Sequence, residues 1–330
     1  MRHLTIANYG TFLGVSGQRL IVEEKGEIIR EVALSRLRSI TICKTGVSLS
    51  SALIQACALR GIRLFFNDWR GQNVAAVVGM SQHAVVALRK KQFHFIESSY
   101  CKEVVREWVR CKLLNQRAVI LYFSKSLLKS KPEQALMLRS QALHISNIIS
   151  RLNTFELSED WNSHLLGFEG VGARIYWESL QASGLVPSSF CRREGRGSLE
   201  ITNQCLNYGY AILASYVWSA LDNAGLEVYA GLYHGDRPGK PSLVLDVMEE
   251  YRAWVVDRNV IKIRSALENE ETITPAIKKQ LTNSIHQTMA DLYPYKGKKL
   301  KLQTIMQRQI YRFCSCIVKG NCYRGYHFKW

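Results

Sequence analysis

Acidic residues and prolines are scarce in this chain, and long uncharged apolar runs are absent. Its 330 residues include six prolines, and 27 Asp and Glu stand against 44 Lys and Arg, for a formal net charge of +17. This surplus favours a polyanionic partner, either a nucleic acid or a membrane surface. No apolar run approaches the roughly 20 residues that cross a bilayer, and residues 1–5 show no signal peptide. We therefore expect a cytoplasmic protein that binds a nucleic acid and no membrane.

A disulfide framework is also missing. The nine cysteines are an odd number without an evident pairing pattern, so we expect reduced thiols. A zinc site made of Cys314, Cys316, Cys322 and His327 stays open, although a single residue between the first two cysteines is fewer than zinc sites usually have. Hydrophobic residues make up 47% of the chain and charged residues 22%, which excludes a disordered protein and allows ordered cores.

The pattern of the chain changes after about residue 80. Short segments rich in β-branched and aromatic residues come first, and Ser16-Gly17 and Lys25-Gly26 are typical of hairpin turns. One helix is predicted among them at 49–60, with Ser48 as N-cap and Gly61 just beyond its end. The predicted strands are 4–7, 11–15, 19–23, 27–33, 39–43, 62–66 and 73–78.

Apolar residues recur at helical spacing from Phe95 onward. The sequence therefore predicts an α+β protein, in which a β-domain with one short helix precedes a mainly α-helical domain. We place the β-domain at 1–85, a linker at 86–94, and the helical domain, with the catalytic, metal-binding and DNA-binding residues, at 95–330.

Three acid and base residues are candidates for a metal site: Glu169, His234 and Glu249. Two carboxylates and an imidazole can hold a hard divalent cation and leave positions open for water and phosphate. Asp246 lies three residues before Glu249, so both fall near one face of a helix, and the Gly- and Pro-rich loop 235–241 can bring His234 back to that helix. The residues alone leave a structural role open for each, since a histidine before a loop is often only a hydrogen bonder.

The motifs around these residues resemble those of the CRISPR-associated spacer integrases, the family of the first numbered Cas protein. Segment 169–177 is similar to the family's glutamate motif, and 241–252 to its signature helix. Segments 47–53, 61–67, 203–210 and 224–234 match as well and in the same order, so the resemblance spans nearly the whole chain. Two departures occur, a missing proline-rich stretch at 195–202 and Ala253 in place of a proline, and neither affects a ligand.

This resemblance implies a metal-dependent DNA endonuclease and integrase, which inserts short foreign DNA segments into a CRISPR array by attack of a 3′-hydroxyl on a phosphodiester. It places the ligands for Mg²⁺ or Mn²⁺ at Glu169, His234 and Glu249, with Asp246 in a supporting catalytic role. It implies DNA that is double-stranded, branched or ends in a free 3′-hydroxyl, a homodimer formed largely through the β-domain, and the second numbered Cas protein as partner. A structure-selective nuclease that does not join DNA and a non-catalytic basic DNA-binding scaffold are the alternatives.

Basic residues near the motifs are predicted to contact DNA, namely Arg174, Arg192, Arg193, Lys240 and Arg252. Contacts between such residues and phosphates supply affinity with little sequence information. The helix segment 112–117 also resembles the family, which implies that its polar residues support the active site or contact DNA. The aromatic and basic stretch 323–330 is predicted either to stack on unpaired nucleotides or to pack its aromatic rings on the core.

Overall fold

Two four-stranded sheets form the N-terminal region in a computed structural model, which describes residues 2–68, 73–79, 86–195, 197–235 and 237–329. Their strands are β1 (Arg2–Ile6), β2 (Phe12–Ser16), β3 (Arg19–Glu24), β4 (Glu27–Ala33), β5 (Leu37–Ile42), β6 (Ser48–Leu49), β7 (Arg63–Asn67) and β8 (Asn73–Val77). One sheet has the order β1-β5-β7-β8, with β8 alone antiparallel to its neighbour. The other has the order β4-β3-β2-β6, and only β6 pairs in parallel.

The hairpin turn between β3 and β4 follows from its two residues. Lys25 and Gly26 have φ angles of 54° and 83°, and a two-residue turn with positive φ at both positions matches the right-handed twist of its strands. The predicted hairpin is therefore confirmed.

Buried apolar side chains from the strands and the following helix make up the core of this region, among them Leu13, Leu20 and Ile40.

The single predicted helix is present but begins later than expected. Helix α1 spans Ser51–Leu59, and the side chain of Ser50 caps it by accepting a hydrogen bond from the Leu53 amide at 3.1 Å. Ser48, the predicted cap, lies instead in β6, where it pairs with Phe12. A two-residue strand has too short a pattern to be recognised in a sequence, which explains the difference.

Helices dominate the rest of the chain, as predicted. They are α2 (Val86–Ile96), α3 (Ser99–Leu127), α4 (Pro132–Thr154), α5 (Trp161–Ala182), α6 (Ile201–Ala224), α7 (Ser242–Met248), α8 (Arg258–Lys262), α9 (Pro275–Ala290) and α10 (Leu302–Lys319). A π-helical turn, Ala253–Asp257, leads into α8. The 29-residue α3 packs against α4 and α5 along its length. Within the described part of the chain, no helix combines the length and apolar character of a membrane span.

The segment predicted as a linker is a packed helix. Residues 86–94 form most of α2, and the fully buried Gln92 donates to the carbonyl oxygens of Glu227 and Ala230 at 2.9 and 3.1 Å. Of the predicted domain boundary, residues 80–85 lie outside the described residues. A short hairpin of β9 (Leu292–Tyr295) and β10 (Lys298–Lys301) was not predicted, because Pro294 and the lysines of this stretch are not typical of strands.

Polar side chains join the sheets to the helices. Arg63 on β7 donates through Nε to Asp222 on α6 at 2.6 Å. The hydroxyl of Tyr216 on α6 lies 2.6 Å from Nδ1 of His286 on α9, and Nε2 of the same ring lies 3.0 Å from the Thr5 hydroxyl on β1. The ring of His3 packs on Tyr216 with centroids 3.8 Å apart. These contacts fix the β-region against the two helices.

Candidate metal centre

Glu169 reaches its position because α5 approaches α3 closely. Gly172, one turn after Glu169, is buried, and a Cβ atom at this position would collide with the side chain of Leu113 on α3. The glycine thus lets the two helices touch. Lys112, next to Leu113, donates through Nζ to Oε1 of Glu169 at 2.5 Å.

Glu249 lies in a turn just after α7, and its side chain is only 3% exposed. Arg252 approaches its Oε1 atom at 2.8 Å, and Lys112 lies 2.7 Å from its Oε2 atom. Burial alone disfavours the ionised carboxylate, but Arg252 and Lys112 outweigh burial and hold the pKa of Glu249 well below its usual range. Glu249 is therefore ionised at neutral pH.

A single ammonium group connects the two carboxylates. Lys112 contacts both Glu169 and Glu249, and its side chain is 12% exposed. Burial lowers the pKa of this lysine, yet the two carboxylates raise it overall. Oε2 of Glu249 is buried and makes no hydrogen bond, although the ammonium lies beside it. The pair of carboxylates thus surrounds a position suited to a cation.

His234 is held by Asp246 on α7. One oxygen of the fully buried Asp246 lies 2.6 Å from Nδ1 of His234 and 2.9 Å from the His234 amide, and the other accepts hydrogen bonds from the amides of Leu232 and Tyr233. Gly231 permits this wrapping, since a Cβ there would lie 2.6 Å from Ser242. A carboxylate on Nδ1 directs the lone pair of Nε2 outward, an arrangement typical of metal-binding histidines.

Tyr233 links the histidine loop to Glu169. Its hydroxyl donates to Oε2 of Glu169 at 2.5 Å. Burial and the charge of Glu169 raise the pKa of this tyrosine, so the hydroxyl keeps its proton. The motif does not single out Tyr233, although it stands beside His234. For the stretch around Lys112 the resemblance implies only support of the active site or contact with DNA, and nothing in the local sequence pairs that lysine with residues so far along the chain.

The donor set suits a hard divalent cation. Glu169 and Glu249 share one cationic partner, and the loop bearing His234 contacts Glu169 through Tyr233. Among the residues that the structure describes, no three side chains of the His, Cys, Asp and Glu types are grouped as a metal centre. Lys112 contacts both Glu169 and Glu249. Two carboxylates with one imidazole match Mg²⁺ or Mn²⁺ better than soft metals, so the residues fit the predicted cation.

A cleft of about 380 Å³ opens beside this centre. Lys112 forms part of its wall, and four of the five predicted DNA contacts lie there too, namely Arg174, Arg192, Arg193 and Arg252. Lys240 is not among the residues that line the cleft; it lies in the loop before α7. Gln116 on α3 also faces the cleft, and its Oε1 atom is buried without a hydrogen-bond partner.

Tyr210 organises the basic wall of the cleft. The guanidinium groups of Arg193 and Arg252 lie over its ring at 5.3 and 5.0 Å, within the range of a cation–π contact. Its hydroxyl donates to Asp257 at 2.6 Å, in the π-helical turn. Burial raises the pKa of Asp257 to about 6. Arg193 also donates to Asn207 at 2.7 Å, so its position is fixed from two sides.

Glu250 points away from the centre although it follows Glu249 directly. It is fully buried and accepts hydrogen bonds from the Tyr323 hydroxyl at 2.7 Å and the Tyr326 amide at 2.8 Å. Both donors belong to the segment 320–329 after α10, which we call the C-terminal tail. The rings of Tyr323, Tyr326 and Phe328 are buried on the helical core. Of the two predictions for this segment, core packing of the aromatic rings is confirmed.

Comparisons with known proteins identify the family of the chain. Residues 4–293 match the protein family described as "CRISPR associated protein Cas1". A relative from Francisella tularensis subsp. novicida, "CRISPR-associated endonuclease Cas1 1", is 43% identical over 330 residues, which is all of both chains. Another from Archaeoglobus fulgidus with the same description is 26% identical over 99% of each chain.

Solved structures share the fold. "Casposase bound to integration product" superimposes with a TM-score of 0.80 at 20% identity, covering 98% of this chain and 93% of the other. A CAS1 protein from Thermotoga maritima gives 0.76 at 16% identity, with 97% of both chains covered. These comparisons confirm the predicted family and fold class. The chain belongs to the Cas1 family of CRISPR-associated proteins.

Proposed function

We propose that this protein is a divalent-metal-dependent DNA endonuclease and integrase, which inserts short foreign DNA segments into a CRISPR array. The observation that carries the proposal is the convergence of Glu169 and Glu249 on one cationic position, beside His234 and at the wall of an arginine-lined cleft. The full-length relative at 43% identity, named an endonuclease, supports the same activity.

Glu169, His234 and Glu249 would hold the cation, either Mg²⁺ or Mn²⁺. When bound, such an ion polarises the phosphodiester and stabilises charge on the attacking and leaving oxygens. The protein supplies the arrangement around it. Asp246 fixes the ring of His234 so that Nε2 is available as a ligand, and Arg252 keeps the Glu249 carboxylate ionised and oriented.

No protein nucleophile is required for this reaction. In integration the 3′-hydroxyl of the incoming DNA attacks, and in hydrolysis a water molecule does. His234 would act as a ligand in this scheme and not as a general base, since Asp246 engages Nδ1 and leaves Nε2 for the cation. Tyr233 donates to Oε2 of Glu169, so Oε1 is the oxygen of that carboxylate that is left for the metal. Oε1 is also the oxygen that Lys112 contacts.

The cleft receives the DNA strand next to the reacting phosphate. Arg174, Arg192, Arg193 and Arg252 offer donors to phosphate oxygens, and the aromatic faces of Trp177 and Tyr210 lie in the same wall. A volume of about 380 Å³ is within the usual size of small-ligand sites and suits a nucleotide. Lys240, outside this wall, would contact the duplex farther from the centre.

The assembly is proposed on the same grounds. Two strands must be joined at the two ends of one segment, which favours a symmetric homodimer with paired centres. The β-region offers a surface for it, because the edge strand β4 exposes Ile28 and Ile29. A complex with the second numbered Cas protein is supported by the similar structure titled "Cas6-RT-Cas1--Cas2 complex". We place the reaction in the cytoplasm, on DNA that is duplex, branched or ends in a free 3′-hydroxyl.

A strand-transfer assay tests the proposal. Purified protein is mixed with a labelled duplex that carries free 3′-hydroxyl ends and a CRISPR-repeat target, with Mn²⁺ or with EDTA. We expect joined products only with metal, and none from His234→Ala although this variant still binds duplex. Metal-dependent cutting of branched DNA without joining would favour the structure-selective nuclease. Duplex binding with neither reaction would favour the scaffold.

A further inference from the structure

Lys112 makes contacts that the proposed mechanism does not use. Its ammonium lies 2.5 Å from Glu169 and 2.7 Å from Glu249, at the place between the two carboxylates that a metal ion requires. Its side chain is 12% exposed and extends from the middle of α3, whose backbone is fixed by the helices around it. The lysine is therefore a built-in part of the centre and not a surface charge.

An ammonium and a divalent ion cannot both occupy this position. Their charges repel, and each would use the same oxygens, Oε1 of Glu169 and Oε2 of Glu249. Arg252 does not compete in this way, because it contacts the other oxygen of Glu249. Without metal, Lys112 offsets the repulsion between the half-buried Glu169 and the buried Glu249, so the centre keeps its shape.

The cleft offers the displaced ammonium a second place. Lys112 lines the cleft together with Arg174, Arg193 and Arg252. A lysine has a flexible four-carbon stem and three rotatable donors, so rotation about its side-chain bonds can carry the ammonium from the carboxylates into the cleft. Two arginines of the wall, by contrast, are held in place: Arg193 and Arg252 lie over the ring of Tyr210, and Arg193 also donates to two asparagines.

We propose that Lys112 is an internal cation that stands in for the metal between Glu169 and Glu249 and moves onto a DNA phosphate when the metal enters. The inference rests on the proposed function, because it takes the same carboxylates as metal ligands. Lys112 is thus a positioning residue for these carboxylates, and it sets the metal affinity by competition.

Calorimetric titration with Mn²⁺ in the absence of DNA tests this idea. Lys112→Met keeps the length of the side chain but removes the charge, so we expect Mn²⁺ to bind at least about tenfold more tightly than to the wild type. The same variant should melt at a lower temperature in EDTA and gain more from added Mn²⁺. Lys112→Arg keeps the charge and should bind Mn²⁺ no more tightly than the wild type.

A second lysine on α3 provides the control. Lys102 donates to the carbonyl oxygen of Leu157, away from the carboxylates, and Lys102→Met should leave the Mn²⁺ affinity unchanged. Unchanged or weaker Mn²⁺ binding by Lys112→Met would overturn the proposal, because a purely structural lysine can only lose affinity when it is removed. If that variant does not fold, wild-type crystals decide: with Mn²⁺ the Lys112 ammonium must leave both carboxylates, and its retention there overturns the idea.

The wild type and Glu249→Gln separate this inference from the proposed function. If the two proteins bind Mn²⁺ with equal affinity, Glu249 is not a metal ligand. The proposed metal centre is then wrong, and so is the proposal for Lys112. A second outcome overturns the role of Lys112 alone. In that outcome Glu249→Gln abolishes Mn²⁺ binding, so the metal centre stands, but Lys112→Met does not bind Mn²⁺ more tightly than the wild type.

Discussion

Glu249 and Glu250 are neighbours in the chain and are both buried, yet their surroundings are opposite. Two cations, Lys112 and Arg252, face Glu249 and lower its pKa. Around Glu250 the hydrogen-bond donors are neutral hydroxyl and amide groups, and burial raises its pKa to about 7. A single step along the backbone thus separates a charged environment for chemistry from a neutral one that stabilises the fold.

The neutral kind of environment recurs where the sheets meet the helices. His3 and His286 lie on either side of Tyr216, and burial is the main reason why the pKa of each is lowered, to about 3 and about 4. Around Tyr216 this junction is packed from uncharged rings, beside the Arg63–Asp222 ion pair, whereas the centre at Glu249 consists of ion pairs throughout. Buried ionisable groups in this protein therefore have two roles, in the chemistry of the centre or in the stability of the fold. The groups that contact them determine which role each one has.

The largest effect should follow a change on the charged side. Glu249→Gln keeps the shape and removes the charge, so we expect Mn²⁺ binding and strand transfer to fall by at least about 100-fold. Glu250→Gln should leave both within a few-fold, because a glutamine can still accept the Tyr326 amide. Asp246→Asn should fall between them, since it weakens the support of His234. Calorimetry measures the Mn²⁺ affinity of the three variants. Loss of Mn²⁺ binding in Glu250→Gln, with binding retained in Glu249→Gln, would reverse the roles given to the two glutamates.

On the neutral side, a change in the C-terminal tail should cost stability. The ring of Phe328 is 4% exposed and stacks on Trp254 with an interplanar angle of 11° and centroids 5.0 Å apart. Phe328→Ala should lower the free energy of unfolding by about 3–5 kcal/mol, as is usual for a buried phenylalanine. Chemical denaturation measures it. Mn²⁺ affinity of the folded variant should change by less than a few-fold, and a large loss would mean that the two sides are not separate.

Acid should weaken the domain junction. A histidine in the unfolded chain takes up a proton near pH 6.5, whereas His3 and His286 in the folded protein resist it until about 3 and 4. Their contribution is therefore complete above about pH 6.5 and is lost as the pH falls towards 4. The slope for each histidine stays below about 1.4 kcal/mol per pH unit, because each ring takes up a single proton.

Urea unfolding between pH 7 and 4.5 measures this slope. His286→Gln keeps a side chain that can hydrogen-bond with Tyr216 but does not titrate, and its stability should depend less on pH than that of the wild type. An identical pH dependence in the two proteins would contradict the role given to the neutral histidine.

The smallest effects are expected at the outer wall of the cleft. Arg193 is held by Asn203 and Asn207, whereas Arg192 is 81% exposed and forms an ion pair with Glu194. Arg193→Ala should weaken duplex binding about 5- to 10-fold and Arg192→Ala about 2- to 3-fold, with the salt slope reduced by about one in each. Fluorescence anisotropy at several salt concentrations checks this order, and a larger loss for Arg192→Ala would reverse it.

Local patterns predicted much of this protein. Strand alternation, the turn at Lys25-Gly26 and helical spacing gave the α+β class, and the motifs singled out Glu169, His234 and Glu249. Partners that are distant in sequence were out of reach: Lys112 meets Glu169 across 57 residues, and the tail meets Glu250 across 73 and 76 residues. Spacing fixes which face of an element a residue occupies, but packing of whole helices decides what that face meets.

Anomalous diffraction from crystals soaked in Mn²⁺ shows directly whether Glu169, His234 and Glu249 bind one metal ion. We predict one peak at about 2.1 Å, a distance typical of small divalent cations, from oxygens of Glu169 and Glu249 and from Nε2 of His234, with none beside Glu250. A soaked crystal with no peak at these three residues, or with its peak at Glu250, would contradict the account.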